Sequence, residues 1–154
     1  MLIEKINSDL VESMKAKNVI RTETLRMVKS ALNYLKIEKK KETLTDEDVL
    51  AVISKQVKQR KESIESFEKG GRAELADKEK KELAVLEGYL PKQLSNEEIR
   101  KMVIETIKET NAAGKKDFGK VMKALSAKLK NQADGKMVSQ IAGEELNKIE
   151  NAGK

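Results

Sequence analysis

Apolar residues recur at three- and four-residue spacing through most of the chain, and no stretch alternates apolar and polar over the length of a strand. Ile3, Ile6, Leu10 and Met14 predict a first helix over about 2–17, with Lys17-Asn18 as its stop. Leu25, Val28, Ala31, Leu32 and Leu35 predict a second, about 22–40. Thr45 followed by Asp46-Glu47-Asp48 is a helix start, since a capping oxygen satisfies free amides and acids suit the positive end of the helix dipole. The third helix runs to Lys69, where Gly70-Gly71 breaks it, and buries Val49, Ile53, Val57, Ile64 and Phe67. Leu75, Leu83 and Leu86 mark the fourth, about 73–87.

The chain divides at Gly88-Tyr89-Leu90-Pro91-Lys92-Gln93-Leu94-Ser95. Gly88 is free to take a left-handed, helix-ending conformation, and Pro91, the lone proline, removes an amide and disfavours helix at Leu90. Ser95 with Glu98 forms a capping box, and Leu94 with Ile99 a hydrophobic staple. A fifth helix follows from Asn96 to about Asn111, a sixth from Phe118 to about Lys130 capped by Asp117, and a seventh capped by Asp134. The seventh turns Val138, Ile141, Ala142, Leu146 and Ile149 inward, and Asn151 to Lys154 should fray. The expectation is an all-α protein: a helical hairpin or bundle over 1–90, a small three-helix module over 95–150, and a joint at 88–95. Within the joint Tyr89, Leu90, Pro91 and Leu94 read either as a plain linker or as a packed joint, and the packed reading buries Tyr89, Leu90 and Leu94.

Two polar residues, Gln56 and Arg60, interrupt the apolar face of the third helix, and Glu79 and Glu82 interrupt that of the fourth. If the glycine turn folds these helices into an antiparallel hairpin, Arg60 comes opposite the two glutamates. An ion pair at least half buried is expected there, serving register.

Composition narrows the chemistry. Of 154 residues, 38% are charged and only 3% aromatic, which suits helices with narrow apolar stripes. Histidine and cysteine are missing, so the commonest general base, the commonest metal ligands and thiolate chemistry are missing too. No phosphate-binding glycine loop and no calcium-loop spacing occurs. The expectation is therefore no catalytic residue, no metal and no cofactor. No segment is long and apolar enough to span a bilayer, and the reading is a cytoplasmic protein. Net charge is +6, with the basic excess in residues 1–61 and 95–154. Such clustering suits a polyanionic partner.

Two basic rows are candidates for that partner. On the sixth helix Lys116, Lys120, Lys123 and Lys130 lie opposite the apolar side, beginning at an N-terminus where Gly119 allows close backbone approach. On the second helix Arg26, Lys29, Lys36 and Lys40 line up with Asn33. Each row reads equally as a solvated face.

The order and spacing of several pieces carry a resemblance. They are Thr24-Leu25-Arg26, Lys58-Gln59-Arg60-Lys61-Glu62-Ser63, Ala73-Glu74-Leu75-Ala76 with Glu79 and Glu82, Tyr89-Leu90-Pro91-Lys92-Gln93-Leu94, and Asp117-Phe118-Gly119-Lys120-Val121-Met122. Over nearly its full length the chain resembles the YqeY-like proteins, small bacterial proteins with mitochondrial relatives. These match the C-terminal tail of the B subunit of the glutamyl/aspartyl-tRNA amidotransferase. The resemblance implies an all-helical two-part fold and a tail that helps hold transfer RNA. It also implies a possible amidotransferase partner, whose carbon–nitrogen ligase activity, with glutamine as amido-N-donor, belongs to the larger enzyme. Three readings follow: an accessory factor binding transfer RNA or other structured RNA, a component of glutamine-dependent amidation, and a protein–protein adaptor.

Overall fold

The computed structural model describes residues 1–153. Among them are seven α-helices, one short 3-10 helix and no strand, so the protein is all-α. The helices are α1 (Leu2–Lys15), α2 (Val19–Lys39), α3 (Asp46–Lys69), α4 (Ala73–Glu87), α5 (Asn96–Glu109), α6 (Phe118–Lys128) and α7 (Gly135–Ala152). The chain separates into two compact units, Met1–Leu90 and Pro91–Lys154. Each closes its own core.

In the first unit Ile6 and Leu10 of α1, Leu25, Val28 and Leu32 of α2, Val49, Ile53 and Val57 of α3 and Leu86 of α4 pack with Leu44. The start of α2 departs from expectation. Asn18 is not only the stop of α1; its side chain accepts from the Arg21 amide at 3.1 Å and opens α2 three residues early. This tight corner draws Ser13 inward, where its hydroxyl bonds the Leu10 carbonyl at 2.8 Å and the Thr22 hydroxyl at 2.9 Å. Met14, expected inward, is left exposed. At the other end of α1 the Leu2 amide donates to Asp46 Oδ1, the first residue of α3, at 2.9 Å.

Four helices are followed by a left-handed residue that is not glycine: Lys17, Lys40, Asn111 and Asn131. Gly88, expected there, is right-handed instead. Gly71, with φ of 71°, turns α3 into α4, and the Arg72 amide closes the turn on the Phe67 carbonyl at 2.8 Å. The pairs Glu68–Lys80 and Arg60–Glu82 place residues progressively farther from that turn against each other, so α3 and α4 are antiparallel. On α4 the buried residues are Ala76, Glu82 and Leu86; Leu75, expected inward, shares the face of Glu82 and Leu86 but stands in the first turn of the helix and is exposed.

Arg60 is buried. Its guanidinium bonds Glu79 at 3.0 Å and Glu82, whose side chain is also buried, and reaches Met27 Sδ on α2 at 3.4 Å. Among the described residues its Nε finds no partner, nor does Oε1 of Gln56 one turn earlier. Gln56 touches α2 only through a 3.4 Å bond from its amide to the Met27 carbonyl.

Asp48 ties the α2–α3 connection. Lys39 Nζ bonds it at 2.7 Å, and Asp48 completes the Thr45 capping box. The Lys39 bond first, then the Thr45 amide, hold its carboxyl down from 3.8 to about 2.

Tyr89 and Leu90 pack on the first core and Leu94 on the second. All three are half-buried, not the largely buried trio expected, since each stands at the margin of its own unit. Tyr89 donates its hydroxyl to Asp9 at 2.5 Å, which also lies 3.6 Å from Arg21, with Lys5 over the ring. Burial first, then the Asp9 carboxylate, push the phenol up to about 12.

The second unit packs Ile99, Val103 and Ile107 of α5, Val121 and Leu125 of α6, and Val138, Ile141, Ala142 and Leu146 of α7. Gln93 bonds the Asn131 carbonyl at 2.7 Å and the Leu94 amide bonds the Gln132 carbonyl at 2.9 Å, which fixes the strand-like entry to α5. Arg100 joins α5 to α7 through Glu144 at 2.8 Å and Glu145, holding both carboxylates below their ordinary range; burial of Glu145 opposes this. That bridge had no signal in the periodicity. Helix α7 continues through Asn151 and Ala152, where fraying was expected; Lys154 lies outside the described residues. Ile149, expected inward, is exposed.

Removing one side of a buried ion pair strands the other, so Arg60→Ala should cost about 3–5 kcal/mol of stability, and Glu82→Ala less, because Glu79 still holds Arg60 at 3.0 Å. Urea denaturation measures this, and a loss below about 1 kcal/mol would show that the pair is effectively solvated. A depressed folded-state pKa stabilises above the unfolded value and loses that contribution as pH falls through the folded one. The Asp48 contribution is therefore complete above 3.8 and disappears toward about 2. Denaturation midpoints across that window should fall more steeply for the parent protein than for Asp48→Asn.

Candidate nucleic-acid interface

The two basic rows differ in structure. In the second unit the short 3-10 helix Lys115–Asp117 precedes α6 and carries Lys116. Asp117 does not cap α6 as expected. Its carboxylate accepts from the Ala113 amide at 2.8 Å, because the 3-10 turn directs it back along the chain. Lys120 is occupied as well: Nζ donates to the Thr110 carbonyl at 2.7 Å, satisfying an open acceptor at the end of α5. Helix α6 ends at Lys128, so Lys130 lies outside the helix that was to align it, and it has a partner of its own. Lys128, unremarked in the periodicity, binds Glu109 at 2.5 Å and the Thr106 hydroxyl at 3.3 Å. Lys116 and Lys123 are exposed and make no ion pair among the described residues. A Cβ at Gly119 would meet nothing within 4 Å, so packing does not require glycine there. The predicted row is thus two open lysines and two engaged ones.

Helix α2 keeps its row. At about 100° per residue Arg26, Lys29, Asn33 and Lys36 fall in one arc of about 80°. Lys40 follows as the left-handed residue after the helix. From Arg26 to Lys40 the row spans about 20 Å. Arg26, Lys29 and Lys40 are exposed and Lys36 half-buried, and none of the four makes an ion pair or side-chain hydrogen bond among the described residues. The neighbouring cations are not open in this way: Arg21 faces Asp9, and Lys39 and Lys41 face Asp48.

Beside the row stand side chains that the periodicity passed over. Tyr34 and Ile37 are each 77% exposed and Met27 is 55% exposed. They occupy neither the apolar stripe nor the basic arc, which is why a two-face reading left them unassigned. The signal was available: Tyr34 is one of only two tyrosines, and a helical wheel puts it on the solvent side. Tyr34 also forms the rim of a groove of about 460 Å³ between α2 and α3. Ala31, Leu35, Ala51 and Val52 line this groove with apolar surface, and Lys55, Gln56 and Gln59 line its α3 side. Exposed cations beside an unpacked aromatic can hold phosphates and stack a base.

Among the described residues no group of three His, Cys, Asp or Glu side chains could hold a metal ion, and no helix is long and apolar enough to cross a membrane.

The protein family described as Yqey-like protein matches residues 3–146. An uncharacterized protein of Schizosaccharomyces pombe is 38% identical over 59% of this chain and 73% of its own length. Altered inheritance of mitochondria protein 41, mitochondrial, of Kluyveromyces lactis is 34% identical over 83% of this chain and 74% of its own. The protein of that name from Pyrenophora tritici-repentis is 31% identical over 91% and 78%. These last two are named mitochondrial proteins, and the cytoplasmic placement expected from the sequence is corrected on that finding.

Open space around Gly119 gives a direct check. Gly119→Ala should leave the fold intact and raise stability by up to about 1 kcal/mol, as a helical glycine replaced by alanine does. Urea denaturation reads this, and a destabilised variant would mean that the α6 N-terminus depends on glycine.

Proposed function

The chain belongs to the YqeY-like family, and on that premise we propose that it is an accessory protein that binds structured RNA, transfer RNA foremost. The single observation that carries the reading is the α2 face, where Arg26, Lys29, Lys36 and Lys40 present about 20 Å of uncompensated positive charge beside Tyr34. Cations already neutralised by carboxylates gain little from a phosphate; these four have no such competitor among the described residues. Within the second unit Lys116 and Lys123 offer a separate pair of candidate phosphate contacts. The binding role rests on phosphate attraction and RNA shape, since the basic face is long and its aromatic content small.

Displacement of counterions sets the test. Affinity for transfer RNA should fall with salt, with a log–log slope of roughly −3 to −4 if the four α2 cations each reach a phosphate. Arg26→Ala combined with Lys29→Ala should shrink that slope by about 2. Both side chains are exposed and unpaired, so the fold has no need of them. Absence of binding at low salt, or a slope unchanged in the double variant, would overturn the assignment to this face.

A further inference from the structure

We infer that the groove between α2 and α3 is a slot for one unpaired nucleobase of the RNA that α2 holds. The inference rests on the RNA reading above and adds what is recognised. The groove's volume of about 460 Å³ lies within the range of about 300–1,000 Å³ common for small-ligand sites. Its apolar lining, Ala31, Leu35, Ala51 and Val52, suits a flat ring, and Lys39, which also lines the groove, is held by Asp48. Glu38 also lines the groove, and Asp48 there is already engaged by Lys39. An uncompensated carboxylate repels a phosphate yet accepts from the exocyclic amine of a base.

Tyr34 supplies the stacking surface. In a chain with four aromatic residues it is 77% exposed at the rim of the groove, while the other tyrosine is held by Asp9. Gln56 and Gln59 supply groups that can read a base edge. Gln56 is poorly satisfied where it stands: its amide nitrogen makes one 3.4 Å bond and its Oε1 has no partner. Such a side chain gains hydrogen bonds by turning to a ligand in the groove. The basic arc lies on the other shoulder of the same helix. A strand whose phosphates run along Arg26, Lys29 and Lys36 can lay an extruded base across the helix into the slot, with Lys55 at the far side.

The test compares two RNA hairpins, one fully paired and one with a single bulged 2-aminopurine, against the full chain. The bulged hairpin should bind more tightly, and its fluorescence should be quenched on binding. Tyr34→Ala should bind the bulged hairpin about tenfold more weakly and abolish quenching, a loss larger than that for the paired hairpin; Tyr34→Phe should behave as the parent. Equal affinities of Tyr34→Ala and the parent for the bulged hairpin would overturn the slot, as would an equal loss for both hairpins. Adenosine monophosphate alone should bind far more weakly than the bulged hairpin. If it binds as tightly, the groove serves a free nucleotide and the RNA assignment falls. If the parent protein binds neither hairpin, the RNA reading fails and the slot with it, an outcome distinct from loss of the Tyr34 effect alone.

Discussion

Arg60 is the point at which three helices of the first unit are committed to one arrangement. Its guanidinium is buried, so both glutamates of α4 must face it, and the Met27 sulfur of α2 must lie within reach. A charge in such surroundings is tolerated only where partners satisfy it. That requirement fixes the register of α3 against α4 more sharply than leucine packing does, because apolar contacts slide at small cost and a buried charge held by two carboxylates does not. Gln56, one turn earlier, touches α2 as well, so the same strip of α3 sets the position of the helix that carries the basic face.

The two basic rows looked equivalent as sequence and are not equivalent as structure. A lysine is open to a phosphate only if nothing nearer has taken it. On α6 the helix is short, and its lysines reach the C-terminal end of α5: Lys120 takes the Thr110 carbonyl and Lys128 takes Glu109. On α2 the helix is long and the row faces away from the carboxylates of its neighbours. Cation counts do not distinguish these cases; helix length and the position of open helix ends do.

What could be read from the sequence follows the same division. Repeating features were legible: the apolar stripes located all seven helices, and the paired interruptions at Arg60, Glu79 and Glu82 could be set opposite each other because one glycine turn defines the hairpin. Features fixed by a single three-dimensional contact were not. Arg100 meets Glu144 and Glu145 across more than forty residues, with no periodic trace. Four helix ends rest on left-handed lysines and asparagines, and the expected ends of those helices lie one or two residues beyond the observed ones. The α2–α3 groove was hidden for a related reason. Tyr34 and Ile37 belong to a third helical face, and a reading that sorts positions into buried and charged has no place for them.

The bond from the Leu2 amide to Asp46 gives the first unit an order of assembly. Met1 offers no oxygen to cap α1, and α1 has 14 residues, near the length at which isolated helices are marginal in water. Its first turn draws a hydrogen bond from a residue 44 positions away. Closing so long a loop is slow compared with helix growth, so that turn is secured only once the chain has folded back. The first turn of α1 is therefore completed only when Asp46, at the start of α3, is in place.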